Sequence, residues 1–197
     1  PIKANDITKY YKASTPFSAP FFNSDGSALV GRSVSITVNG KPYSRTTDKR
    51  GIATLSVNLK SGSYKIVSTN PITGYRITTT FTILSTITSS KLKNVEGQKF
   101  RVKFLKSNGE ALAKTYVKVK FKGKTHKLKT NSKGIVSLSL KNVKKGTYNV
   151  VCHNKDGLSK TFKIKVYKRK ASTKLSAKSY TFLPGDNRII KVKLSTA

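Results

Sequence analysis

SDGSALVGRSVSITVNGKPYSRTTDKRGIATLSVNLKSGSY (residues 24–64) and SNGEALAKTYVKVKFKGKTHKLKTNSKGIVSLSLKNVKKGTY (residues 107–148) are two copies of one pattern. Gly26, Gly40 and Gly51 match Gly109, Gly123 and Gly134 at a spacing of 83. After one inserted residue, Gly62 and Tyr64 match Gly146 and Tyr148. The glycines fall where a strand must reverse, and alternating apolar residues fill the stretches between them. A repeat fixes the unit of folding. A period of 83 is too long for a solenoid unit and suits a small β-sandwich.

Working outward, Val34, Ile36 and Val38 alternate with Ser33, Ser35 and Thr37, the signature of a half-buried strand. Asn39-Gly40 is a strong hairpin signal. Tyr43 to Thr47 returns, and Ala53, Leu55, Val57 and Leu59 form the next inward row. Tyr64 and Ile66 open another strand, and Ile77 to Leu84 closes the unit. The second copy keeps this core with Val117, Val119 and Phe121, then Val136, Leu138 and Leu140, then Tyr148, Val150 and Cys152, then Phe162, Ile164 and Val166. Its solvent positions turn to lysine. Upstream, Phe17, Phe21 and Phe22 match Phe100, Phe104 and Leu105, although Pro16 and Pro20 point to an irregular or edge strand. No apolar 3.6-residue period runs over ten residues, so the expected class is all-β.

The expected organisation is two tandem sandwiches, residues 1–84 and 85–167, joined by short linkers near Leu84–Ser90 and Tyr167–Thr173. Residues 168–197 resemble the opening of the second unit and read as the first strands of a partial third repeat. The chain starts at Pro1, without a signal-peptide pattern, and stops inside that third repeat, so it reads as a segment of a longer protein. No apolar run approaches the eighteen residues of a membrane helix. One cysteine excludes an internal disulfide, and two histidines cannot build a zinc cluster.

Charge is the dominant compositional fact: 40 basic against 7 acidic residues, a net +33. Residues 1–84 hold 11 basic and 3 acidic residues (+8), 85–167 hold 21 and 3 (+18), and 168–197 hold 8 and 1 (+7). Such a field attracts polyanions at long range. Alternation places Lys118, Lys120, Lys122, Lys127 and Lys129 outward on neighbouring strands, and Lys163 and Lys165 extend a similar face. These seven are the candidate anion-binding residues. Two readings stand: a solvated face that keeps the chain soluble and blunts strand edges, or a face that binds a wall polymer, an acidic glycan or nucleic acid. Nucleic acid is disfavoured by the scarcity of arginine and the absence of a row of outward aromatics. Salt-sensitive, nonspecific binding to DNA in vitro is still expected.

The phrases at Asp25–Gly40, Thr47–Leu55 and Gly62–Tyr64 resemble the Ig-like repeats of invasin- and intimin-type adhesins. With segments such as NDITKYYK (5–12) and KASTKLSAKSYTFLPGD (170–186), the chain is closer still to tandem Ig-like repeats of methanogen adhesin-like surface proteins. The resemblance implies Ig-like sandwiches in a stalk or wall-proximal module outside the cell, facing an anionic wall polymer or a partner cell. One departure from such proteins is that no asparagine starts an N-x-Ser/Thr sequon. The rival readings are a non-catalytic binding arm of a wall-degrading enzyme and a basic nucleic-acid-binding protein.

No enzyme is expected. Cys152 alternates with core residues, His126 stands in the place of Tyr43, and His153 points opposite to Cys152. A Lys–Asn isopeptide needs a buried acid, and Glu96, Glu110 and Asp156 fall at strand ends or turns. Gln98 is the single candidate for a Thr–Gln ester. Asp25, Asp48 and Asp156 sit in glycine-containing turns, where turn chemistry explains them better than calcium does. No cofactor or metal is expected.

Overall fold

The computed structural model describes residues 1–169, 173–175 and 194–196. The first repeat forms β1 (Ile7–Tyr10), β2 (Phe17–Pro20), β3 (Ser33–Val38), β4 (Lys41–Thr46), β5 (Ile52–Leu55), β6 (Gly62–Thr69) and β7 (Arg76–Leu84). The second forms β8 (Ile87–Thr88), β9 (Lys93–Val95), β10 (Lys99–Phe104), β11 (Tyr116–Phe121), β12 (Lys124–Lys129), β13 (Ile135–Ser139), β14 (Gly146–His153) and β15 (Ser159–Tyr167). No helix occurs among the described residues.

The turns are where the glycines put them. Asn39-Gly40 and Lys122-Gly123 both have positive φ at two successive residues (45° and 85°, 48° and 77°), as a two-residue hairpin of type I′ requires. Gly134 at φ +73° leaves no room for a Cβ, which would strike the Phe104 carbonyl oxygen. That close approach lets the Gly134 carbonyl accept from Phe104 N at 2.8 Å.

Each repeat pairs its strands in the same order: β1-β7-β6-β3-β4 in the first, β9-β15-β14-β11-β12 in the second. Opposite them lie β2-β5 and β8-β10-β13. The opening strand of each repeat is divided between the two sheets. Ile2 bridges Phe21 and Ile87 pairs with Phe104, whereas β1 and β9 cross over to run parallel to β7 and β15. The sequence shows residues 1–22 only as a lead-in and one strand. The parallel return is invisible there because it pairs residues more than seventy positions apart.

This is the immunoglobulin-type sandwich, twice over. Its tyrosine corner is present in both copies: Tyr64 Oη donates to Lys60 O, and Tyr148 Oη to Lys144 O, each at 2.8 Å. The glycine two residues earlier lets the ring lie flat, since a Cβ on Gly146 would meet the Tyr148 ring at 3.3 Å.

Two apolar clusters fill the sandwiches. Phe17, Phe21, Ile36, Leu55, Ile66 and Phe81 centre the first. Phe100, Phe104, Leu140, Val150, Cys152 and Ile164 centre the second, with Phe100 edge-on to Phe162 at 5.8 Å. Each large side chain so buried is worth about 1.5–3 kcal/mol. One inward row is shorter than its alternation predicts. β5 ends at Leu55, and Val57 and Leu59 stay half-buried. The facing strand begins at Phe17, because Pro16 has no N–H to extend the ladder. Lys99 stands at that place in the second copy and pairs with Ser139.

Leu84–Ser90 is not a free spacer. Thr86 and Ile87 are buried and already belong to the second sandwich, where Thr86 Oγ1 donates to Asp156 Oδ2 at 2.5 Å. Tyr11 packs against both clusters, and the Tyr10 ring lies on Gly109. Of the expected third repeat, the structure describes only β16 (Thr173–Leu175) paired antiparallel with β17 (Leu194–Thr196). The rest lies outside the described residues.

Candidate functional site

Register decides which lysines share a surface. In the β11–β12 ladder, Lys118 stands opposite Lys127, and Tyr116 opposite Lys129. Across β14, Lys118 faces His153 and Lys120 faces Val151. Beyond it, Asn149 pairs with Lys163 and Thr147 with Lys165, and Lys165 pairs with Lys93 on β9. The inward partners Val117, Val119, Val150, Cys152, Phe162 and Ile164 are buried, so all these residues point away from the core. Lys118, Lys120, Lys127, Lys129, Lys163 and Lys165 therefore occupy one face of one sheet. β14 runs between them as a neutral strip of Thr147, Asn149, Val151 and His153. Lys93 completes the row, and the sequence reading overlooked it because β9 joins this sheet only through the parallel crossover.

Lys122 departs from that face. It sits in the β11–β12 turn at φ +48°, with its ammonium 5.9 Å from the Tyr148 ring centroid. Alternation would have placed it outward in line with Lys118 and Lys120, but the turn takes over one residue earlier.

No carboxylate stands in the outward rows of this sheet. The ion pairs among the described residues are Arg50–Asp48 and Lys106–Glu110, and neither involves these lysines. The equivalent face of the first sandwich presents mainly Ser33, Ser35, Thr37, Ser44, Thr69, Thr78 and Thr80, with Lys65 and Arg76 as cations among them. The opposite sheet of the second sandwich turns Lys99, Arg101 and Lys103 outward, a second basic row that the period-two pattern of KFRVKF contained.

At one end of the lysine face is an open depression of about 620 Å3, lined by Tyr116, Lys118, Lys127, His153, Asn154 and Lys155 among others. Tyr116 is 48% exposed, a large aromatic kept in solvent. Lys127 and Lys129 place their ammoniums 5.0 and 5.8 Å from its ring centroid. Its outward direction was readable from its place beside the inward Val117. His153 Nδ1 shares a hydrogen bond with Ser159 Oγ at 2.7 Å, which fixes the imidazole. That contact follows from their opposition in the β14–β15 ladder. None of the described carboxylates hydrogen-bonds the imidazole, so a Ser–His pair is present without the third group that orients a catalytic base.

Cys152 is buried, and burial pushes its thiol up to about 12. His126 is half-buried opposite Val119. The acidic residues serve turns. Asp25 Oδ1 accepts from Ser27 Oγ and N, and Asp48 Oδ1 from Arg50 N and Ile52 N. Gln98 Oε1 accepts from Lys91 Nζ and Val95 N at 3.3 Å on the surface.

No protein-family model and no curated protein matches the chain. Solved structures similar to it include SGBP-B of the Bacteroides ovatus mixed-linkage glucan utilization locus, in complex with a mixed-linkage heptasaccharide. That match has 11% identity and a TM-score of 0.36 over 92% of this chain and 49% of that one. A C-terminal 282-residue fragment of intimin, in complex with the intimin-binding domain of its translocated receptor, matches at 17% identity and TM-score 0.33, covering 84% and 62%. Invasin, a bacterial integrin-binding protein, matches at 15% and 0.36, covering 90% and 42%. The chain spans less than two thirds of the length of each. The class defined by its own strand order, parallel crossover and tyrosine corner is a tandem Ig-like β-sandwich protein.

Proposed function

We propose that the chain is a non-enzymatic, extracellular adhesin-like module, of the kind borne by methanogen surface proteins, whose basic second sandwich holds an anionic wall or surface polymer. The first sandwich acts as a spacer. The observation that carries this reading is the single sheet face with Lys93, Lys118, Lys120, Lys127, Lys129, Lys163 and Lys165 and no carboxylate among them, beside a neighbour whose matching face is mostly serine and threonine with two cations, Lys65 and Arg76. A face kept only for solubility has no need to exclude acids, since mixed charge serves that purpose. On this reading residues 1–84 and 85–167 are separate domains.

The test is retention of the full chain on purified anionic cell walls against duplex DNA, across a salt series. Wall binding that persists at physiological salt, while DNA binding falls away, supports the reading. Equal or tighter retention on DNA rejects it in favour of a nucleic-acid-binding protein. Retention on neither leaves a spacer with a solvated surface.

A further inference from the structure

We infer that the depression around Tyr116 is a discrete subsite for an acidic sugar residue of a polysaccharide. This rests on the reading that the lysine face meets an anionic polymer, and it assigns the chemistry of one contact within that face. Tyr116 offers a half-exposed ring that already carries the Lys127 and Lys129 ammoniums at 5.0 and 5.8 Å from its centroid, and the C–H face of a pyranose packs on the part they leave open. Lys118 and Lys127, directly opposed across the β11–β12 ladder, offer two ammoniums to one carboxylate. His153, held by Ser159, stands alongside as a polar partner for a sugar hydroxyl, whereas Asn154 is buried and its amide is taken up by Thr86, Leu105 and Asp156. The depression is open to solvent, so it would hold a single sugar unit through its aromatic wall and lysines rather than by enclosure.

The treatment of the nearest acid supports the assignment. Asp156 lies between Lys155 and Gly157, both of which line the depression, yet it does not line it. Its carboxylate is turned toward the junction, where it accepts from Thr86 Oγ1 at 2.5 Å, Leu158 N at 2.8 Å and Asn154 Nδ2 at 3.3 Å. The depression is therefore purely basic and neutral. Its cations are lysines without the planar fork of arginine, and it has a single exposed aromatic where single-stranded nucleic acid stacks on several. The single aromatic favours a sugar over a nucleic-acid strand, whereas lysine serves carboxylate and phosphate alike.

The experiment is titration calorimetry of the full chain at physiological salt with four probes: a hexameric oligogalacturonate, neutral cellohexaose, inorganic polyphosphate and single-stranded DNA. The variants are Lys118→Gln with Lys127→Gln, Lys163→Gln with Lys165→Gln, Tyr116→Ala, and a charge-matched control on the opposite sheet, Lys99→Gln with Lys103→Gln. Losing the opposed ammoniums is expected to weaken oligogalacturonate roughly tenfold or more. The Lys163 and Lys165 pair should cost clearly less, and the control pair should leave affinity unchanged. Tyr116→Ala should weaken oligogalacturonate about fivefold while sparing polyphosphate. Its exposed position keeps the fold out of question, and a melting curve checks that.

Equal losses from the two lysine pairs of the face, or no effect of Tyr116→Ala, overturn the subsite while leaving the basic face as a binder. Tighter binding of DNA than of oligogalacturonate overturns the ligand class. If no polyanion binds the unmodified chain, the face itself is not a binding surface, and both readings fall.

Discussion

Lys118 and Lys127 stand directly opposite each other in the β11–β12 ladder, on a sheet face that carries no acid. Like charges in that position destabilise a strand pair, and opposite charges contribute roughly 0.2–1 kcal/mol. Lys127→Glu should therefore raise the melting temperature in low salt and weaken polyanion binding in the same protein. Melting curves at low salt and near 1 M salt check this, because the gain should shrink as screening shortens to about 3 Å. A variant that is less stable at low salt would show that the pair is not under electrostatic strain.

The repeat itself supplies a control for Asp48. Its carboxylate accepts backbone N–H groups from Ile52 and Arg50, which hold it below the usual aspartate range. Asn131 accepts from Lys133 N and Ile135 N in the same turn of the second copy. A depressed carboxyl stabilises the fold above its unfolded value of 3.8, and that contribution is lost as pH falls through the lower folded value. Asp48→Asn should keep the melting temperature at neutral pH and lose part of the acid-side decline. Asp48→Ala should melt lower at every pH.

Cys152 carries the opposite sign. Desolvation raises its thiol from 9.0 to about 12, so folding favours the neutral form. That contribution is complete below pH 9.0 and is lost as pH climbs toward about 12. Urea unfolding of the wild type should weaken across this window more steeply than that of Cys152→Val, and a thiol reagent should label Cys152 only as the second sandwich unfolds. Fast labelling of the native chain at neutral pH would contradict the burial.

Tyr148→Phe removes the hydroxyl that donates to Lys144 O and leaves the ring edge-on to Phe121 at 5.8 Å. The expected cost is about 0.5–1.5 kcal/mol, read as a shift in the denaturation midpoint without a change in slope. A cost of several kcal/mol would mean that the ring, not the bond, had been disturbed.

Gly134→Ala should be far more damaging than Gly123→Ala. Both glycines have positive φ (+73° and +77°), but a Cβ on Gly134 strikes the Phe104 carbonyl, whereas none meets a neighbour at Gly123. Comparing the two separates the conformational penalty, about 1–2 kcal/mol, from the steric one. Equal costs would show that the turn at Gly134 relaxes freely.

The amino-acid sequence by itself determined the repeat, the turn positions and the inward rows. Each is written in short-range chemistry: glycines where φ must be positive, and a period of two that assigns Val117, Val119 and Phe121 to the core and Tyr116, Lys118 and Lys120 to solvent. Even there, Lys122 and Val57 slipped, because a turn and a missing proline N–H overrode the alternation. Only the tertiary structure decided that β14 lies between β11 and β15, so that Lys118 and Lys163 share one face, and that β9 crosses over to add Lys93. It also turned Asp156 away from the depression, toward Thr86 some seventy residues earlier. Periodicity says which side of its own strand a residue faces. Which strands are neighbours depends on contacts between distant parts of the chain, and no local pattern records them.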